Sequence, residues 1–566
     1  MLVGAADVRE KSSSLSRLVE HRAIRGADHF QQFKEESKMI LDRVVRAVGV
    51  SCLGVAMLAV ATSAAAVEKR KGVTPLLRLG PQEASSSTLS AAGGPLYLLR
   101  TCQTGHSTAG PVVGQCYDPY QMRLAYGTDA LIKAGYDGKG QTIVIVDAFQ
   151  SPNIVQQQNF FNTYYGLPSL NGLGGPPDAN LGTFTQIAPD GLTPFVPGDA
   201  NMTGWAEEIS LDVLWAHSIA PGANITLVLA KTNDDADILS AIKYAVDHNL
   251  GDIISMSFGE NESCTGDALI AQYHDVFVAA TQKGITLFAS SGDEGAALPT
   301  CDGNSWVKAA SHPAVDPLVT GVGGTELQAA EWVGCPFPPN TPDTTTCPPQ
   351  NPQPGTWQGE IVWNEGPPYG DFQAQFDSTI ATGGGFSVIF DQPPYQKGTA
   401  GLHGGKQRAV PDVAYNAAVF HGVLTYLNIP GVPVGFFRFG GTSAGSPQWA
   451  AITAIANQKA GGRLGFLNSA IYQIGRVNKA YPASFHDITD GVNSAVEFDS
   501  NGDPVNIVGF SGGPGWDATT GLGSPMVPSL VDYLIRYVSP GDGVAAIATT
   551  KHSIGAARVP GHMDPH

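Results

Sequence analysis

The residues best suited to chemistry are one serine and three acids. Gly440-Gly441-Thr442-Ser443-Ala444-Gly445-Ser446-Pro447 follows a strand-like run, Val434 to Phe439. It opens an apolar segment, Trp449 to Ala456, that reads as a buried helix. Two glycines let the backbone turn tightly against whatever binds there. Ser443 then stands at a helix N-terminus, where free N–H groups can hold a developing anion, so it is either a nucleophile or an N-cap. Glu208 and Asp212 are four apart and share one face of a helix. They form either a solvated acidic face or a dyad sharing a proton, with one pKa raised. Trp205, Ile209 and Trp215 point to a partly buried helix and so to the dyad, although Glu207 is also acidic and adjacent. Asp293 ends a strand in Ser290-Ser291-Gly292-Asp293-Glu294-Gly295. It is an ordinary turn residue or, in combination, a protonated donor aimed at an oxyanion.

A serine nucleophile needs a base. Histidine is the usual one, yet the chain has no His-Gly-Thr-His element, and His403-Gly404 and His421-Gly422 stand in loop-like contexts. Asp147 ends the first strand without an evident histidine partner, which suits a structural or substrate-side role.

Regular elements must position these groups. Gln141 to Val146, Ile225 to Ala230, Ile253 to Phe258 and Ile285 to Ala289 read as strands. Trp205 to Ser218, Asp235 to His248 and Ala268 to Lys283 read as helices between them. That alternation predicts an α/β fold: a doubly wound, mostly parallel sheet with helices on both faces, its site beyond the carboxyl ends of the strands.

These separated motifs resemble the sedolisins, serine-carboxyl peptidases related in fold to subtilisin, and in particular kumamolisin-type members. The likeness covers residues 116–538. It implies that Ser443 is the nucleophile, Glu208 the general base and acid, Asp212 its partner and Asp293 the oxyanion donor. It implies an enzyme hydrolysing peptide bonds of proteins at acidic pH; an endopeptidase is expected ahead of a tripeptidyl-peptidase, a choice that the loops around the cleft decide. It also implies one structural Ca²⁺, held by the carboxylates of Asp487 and Asp517 and the carbonyls of Ile488, Gly513 and Gly515, an all-oxygen set that suits a hard cation. Ser255-Met256-Ser257-Phe258-Gly259 resembles the family's substrate-lining strand, and Gly383-Gly384-Gly385-Phe386-Ser387 is either a further site segment or a structural turn. The rival readings are a subtilisin-type Ser-His-Asp peptidase and a calcium-stabilised module of the same fold without catalysis. The family is made with a large N-terminal prodomain. Here only about fifty residues lie between Ala66 and Cys116, too few for a domain with a robust core.

The 566 residues carry a formal net charge of −18, with 68 Gly, 40 Pro and only 14% charged residues. Residues 67–566 hold 23 basic and 43 acidic residues, which disfavours nucleic acid and anionic membranes as partners. Residues 1–66 are expected to be an N-terminal extension and signal peptide: Arg43 and Arg46 precede the apolar run Ala47 to Ala61, and Ala64-Ala65-Ala66 offers a cleavage site. Met39 is the expected start. The chain is thus expected to be secreted, free of the membrane after cleavage, and monomeric. Residues 67–115 read as a linker or short pro-segment, 329–358 as a Pro-rich insertion and 539–566 as a disordered tail. Beyond Cys52, six cysteines invite neighbour pairing, 102–116, 264–301 and 335–347, among 15 connectivities.

Overall fold

Thr142–Ala148 reads TIVIVDA, and every residue after Thr142 is buried. A continuous β-branched run of this kind needs cover on both faces, which a central parallel strand provides. The computed structural model of the protein describes residues 72–85, 116–330, 355–366, 379–402, 405–539 and 541–550. In it this strand lies in an eight-stranded sheet. In spatial order the path runs Trp357–Val362, Thr320–Ala329, Thr286–Ser290, Ile253–Met256, Thr142–Ala148, Asn224–Ala230 and Phe184–Ile187, with Val413–Asn416 also pairing with Thr320–Ala329. All pairings are parallel except that of Thr320–Ala329 with Trp357–Val362. The expected α/β architecture is therefore present, with the expected helices between its strands.

Two helices bear on the site. The first, α1 (Ala200–Ile219), starts where the Asp199 side chain caps the Met202 N–H at 2.9 Å, and is buried without interruption from Trp205 onward. A helix buried all round needs neighbours on every side. Here they are the central sheet, the strand Gly422–Leu427 and the second helix, α2 (Gly445–Ala460). Small residues on α2, among them Ala450, Ala451 and Ala454, let the two helices lie close.

A second sheet, four-stranded, runs in the order Arg78–Ser85, Gly435–Gly440, Gly422–Leu427 and Cys116–Tyr117. Its strand Gly435–Gly440 feeds directly into the turn that carries Ser443.

One stretch is found to hold regular structure and one expectation is corrected. Part of the stretch read as a linker or short pro-segment is built into the fold: Thr74–Pro75 and Arg78–Ser85 are strands, paired with Phe258–Asn261 and Gly435–Gly440 respectively. Both are edge strands held by long-range backbone pairing, which leaves no local periodicity to read. Asp542–Thr550, placed in the disordered tail, is a helix that buries Ala546 and Ile547. Its short Val544-Ala545-Ala546-Ile547 run suffices because one face docks on the core.

Cys264 and Cys301 are joined as expected. Cys116 is disulfide-bonded, and its expected partner Cys102 lies outside the described residues. So do Cys335, Cys347, the signal segment and most of the insertion. The chain enters and leaves that insertion at one hairpin end, where Ala330 N–H donates to Thr356 O at 2.8 Å and Gly355 N–H to Ala330 O at 2.7 Å. No helix among the described residues is long and apolar enough to cross a membrane.

Candidate active site

Gly441 has φ +97°, a conformation open to glycine, and the turn then passes through Thr442–Ala444 into α2. The residue flanking α2 is Ala444, and no side chain caps that end. Ser443 is thus not an N-cap. Its Oγ donates to Glu208 Oε2 at 3.0 Å and lies 3.2 Å from Ser257 O. No histidine is among its hydrogen-bond partners.

Glu208 and Asp212 occupy one face of α1, and both are fully buried. Burial pushes the Glu208 pKa well up, and the neighbouring charges of Asp212 and Asp147 push it further. Burial brings Asp212 up to about 7. Glu208 Oε1 and both Asp212 oxygens meet no protein donor. A proton held between the two acids supplies one, as a dyad requires. Asp147 is also fully buried with both oxygens unpartnered, and burial followed by the Asp212 charge raises its pKa well above the usual carboxylate range. Its place is within this acid cluster. The strand-end position was visible in the sequence, but its partner on α1 was not.

Asp293 approaches from the end of Thr286–Ser290. Its Oδ1 accepts from Thr442 N–H and Thr442 Oγ1, both at 2.8 Å. Thr442, which sequence reading left without a role, is therefore what fixes the Asp293 carboxyl. Oδ2 is buried and free of hydrogen bonds. Burial raises the Asp293 pKa to about 7, with Arg78 opposing. The acid is thus neutral, and able to donate, below neutral pH. Gly383 packs behind this loop, its N–H donating to Gly292 O at 2.7 Å, and Gly385 opens the strand Gly385–Asp391.

The chain itself lies across these groups. Thr74–Pro75 pairs antiparallel with Gly259 and Phe258, and Leu76 N–H donates to Ser257 O at 3.2 Å. Ser443 N–H donates to Leu76 O at 2.9 Å. A Cβ on Gly441 would stand 2.5 Å from Asp293 Oδ2 and 2.6 Å from Leu76 O, so these two atoms converge over one glycine. The strand Arg78–Ser85 continues antiparallel to Gly435–Gly440. Ser443 is completely covered as a result.

Residues 198–480 match the model of the subtilase family. The chain belongs to the subtilase family. Within it this subtilase resembles the sedolisins, as its motifs imply. It is 32% identical to kumamolisin from Bacillus sp. (strain MN-32) over 430 residues, 75% of this chain and 64% of that protein. It is 28% identical over 305 residues to sedolisin from Pseudomonas sp. (strain 101), 52% of this chain and 43% of that one. Human tripeptidyl-peptidase 1 is 28% identical over 299 residues, 50% of this chain and 43% of that one. This subtilase thus spans less than two thirds of kumamolisin and less than half of the other two. The fold of a Pseudomonas sedolisin complexed with two molecules of pseudo-iodotyrostatin matches with a TM-score of 0.57 at 23% identity, over 76% of this chain and all of that one.

The residues expected to hold calcium lie in two neighbouring loops, 487–491 and 513–517. Gly515 N–H donates to both Asp487 oxygens at 3.1 Å, and Gly513 N–H to Asp517 Oδ2 at 3.2 Å. Neither carboxylate has a Lys or Arg partner among the ion pairs of the described residues, and no three His, Cys, Asp or Glu side chains gather there as a metal cluster. Two carboxylates that meet backbone N–H and hydroxyl donors but no cationic side chain are oxygen donors of the kind that suits a hard divalent ion.

Proposed function

We propose that this chain is a secreted, acid-acting serine-carboxyl endopeptidase of proteins. The contact between Ser443 Oγ and Glu208 Oε2, inside a buried acid cluster, carries the reading. Ser443 attacks the peptide carbonyl carbon as its proton passes to Glu208, with Asp212 holding the dyad's second proton. The Ser443 N–H and the neutral Asp293 carboxyl stabilise the tetrahedral oxyanion. Glu208 returns its proton to the leaving amine, and water then releases the acyl group by the reverse sequence. Neutral carboxyls serve as donors only in acid, which sets the working pH.

Endopeptidase action is supported by the path of residues 72–78. Upstream of the strand Thr74–Pro75, Val73 N–H donates to Asn233 O at 3.1 Å, so the cleft side of the Leu76 carbonyl takes at least a fourth residue. Asp487, Asp517 and the carbonyls of Ile488, Gly513 and Gly515 would hold one Ca²⁺, which would pin the C-terminal loops. The chain acts as a monomer on protein substrates and binds neither nucleic acid nor membrane.

The test is a pH–activity profile on an unfolded protein, for the wild type and Ser443→Ala, with intact-mass analysis of the exported form. An optimum well below neutral that vanishes in the variant is expected. An alkaline optimum, or an active variant, overturns the reading.

A further inference from the structure

The contacts of Leu76 define a register. Its carbonyl is the one presented to Ser443 N–H, and its own N–H meets the Ser257 carbonyl, within an antiparallel pairing with Phe258 and Gly259. An extended peptide docked by strand addition would lie the same way. On the proposed chemistry, the bond in front of Ser443 is therefore Leu76–Leu77, and Arg78 is the second residue beyond it.

Arg78 lies 3.9 Å from the Asp293 carboxyl through Nε, and its firmer contact is with a group that no step of the mechanism uses. Its Nη2 donates to Glu294 Oε1 at 2.8 Å and to Asp293 O at 3.3 Å. Glu497 stands behind them, 3% exposed, with Oε1 lacking any partner. Burial pushes Glu497 up to about 8, with the Glu294 charge adding and the Arg78 charge opposing. Three acids, Asp293, Glu294 and Glu497, thus lie around one cation that the protein supplies from its own N-terminal segment.

We propose that Glu294, backed by Glu497, is a specificity subsite for a basic side chain two residues beyond the scissile bond, and that Arg78 is its built-in occupant. The inference rests on the peptidase reading above. It makes Leu76–Leu77 a bond this chain presents to itself. Hydrolysis there consumes one water, breaks the C–N bond and leaves a carboxyl on Leu76 and an amine on Leu77. The downstream strand would stay paired with Gly435–Gly440, so the new N-terminus would leave the cleft only as far as Arg78 releases Glu294.

Two synthetic nonapeptides test this: one with the sequence of residues 72–80, the other with alanine in place of its arginine. Each is digested at the acidic pH where the wild type hydrolyses unfolded protein. The wild type should cut the first between its two leucines, with kcat/KM about tenfold or more above the second, the scale of a charge-assisted contact. In Glu294→Gln that ratio should fall towards one. A lysine analogue should lie between the two peptides for the wild type, a comparison that needs no enzyme variant. The purified chain should also gain an N-terminus at Leu77, absent in Ser443→Ala. If the wild type hydrolyses unfolded protein but treats the arginine and alanine peptides within twofold, or cuts neither peptide between the leucines, the subsite is overturned and the peptidase reading stands. If it hydrolyses no protein or peptide at all, the peptidase reading falls and takes the subsite with it.

Discussion

Ser443 Oγ and Glu208 Oε2 meet at 3.0 Å although 235 residues separate them in the chain. The contact places a carboxylate where serine hydrolases usually keep an imidazole. Ser443→Ala removes the attacking atom, and Glu208→Gln leaves its shape but removes its basicity. Each should lower kcat/KM on unfolded protein by on the order of a thousandfold or more. Circular dichroism and thermal melting should remain close to wild type. A variant keeping a tenth of the activity would place the base or the nucleophile elsewhere.

Gly441→Ala should be nearly as damaging without touching a reacting group. Its methyl would lie 2.5 Å from Asp293 Oδ2, and φ +97° is strained for any L side chain. A loss of about a hundredfold or more in kcat, with the variant still folded, is the expected outcome, since oxyanion donors are worth about that much. Steady-state kinetics read it, and near-normal kcat would show that Asp293 does not serve the oxyanion.

Activity should fall as pH rises through about 7, where Asp293 loses the proton it must donate. It should fall again in strong acid. The acid limb belongs to the Glu208–Asp212 pair as a unit, which must keep one carboxylate free to take the serine proton. Asp293→Ala should lower activity across the whole range. A rate that climbs above pH 7 would contradict the assignment.

Stability should follow the same sign. Asp212, Asp293 and Glu365 each have a folded-state pKa raised by burial to about 7. Between about pH 4 and 7 the unfolded chain sheds protons that the folded chain keeps, so stability falls as pH rises across that window. Calorimetry should give a higher Tm at pH 5 than at pH 7.5. The opposite order would mean these acids are ionised in the fold.

The bridge between Cys264 and Cys301 closes a loop with a sequence separation of 37. Replacing both cysteines with alanine should cost about 4 kcal/mol by the loop-entropy estimate. Denaturant melts would register this as a lower midpoint at unchanged slope. No change in midpoint would mean that the strands flanking the loop already hold it closed.

A calcium chelator should lower Tm, and added Ca²⁺ should restore it, because an ion that binds only the folded state stabilises it by mass action. Asp517→Asn should lose that response. An unaltered melt in chelator would remove calcium from the proposal.

Much of this was legible in the residues. The β-branched run at Thr142–Ala148 and the helix around Trp205 fall where the periodicity put them, with boundaries shifted by a few residues. Ser443, Glu208, Asp212 and Asp293 were all picked out from type and spacing, and the structure brings them into one buried cluster. Local pattern reports these positions because each sits at the end or on the face of a regular element. It did not report the strands at Thr74–Pro75 and Arg78–Ser85, whose partners lie more than 180 residues downstream and impose no pattern on a short irregular segment.

The sequence by itself determined the inventory: an acid-rich α/β chain with a glycine-flanked serine and no histidine placed to serve it. Only the tertiary structure decided how those groups are used. Whether Ser443 caps a helix or faces an acid depends on where α1 packs against α2. Whether Asp147 stands apart or joins the dyad depends on the same packing. That Leu76 and Arg78 occupy the cleft follows from strand pairing, a contact between distant backbones that no local spacing encodes.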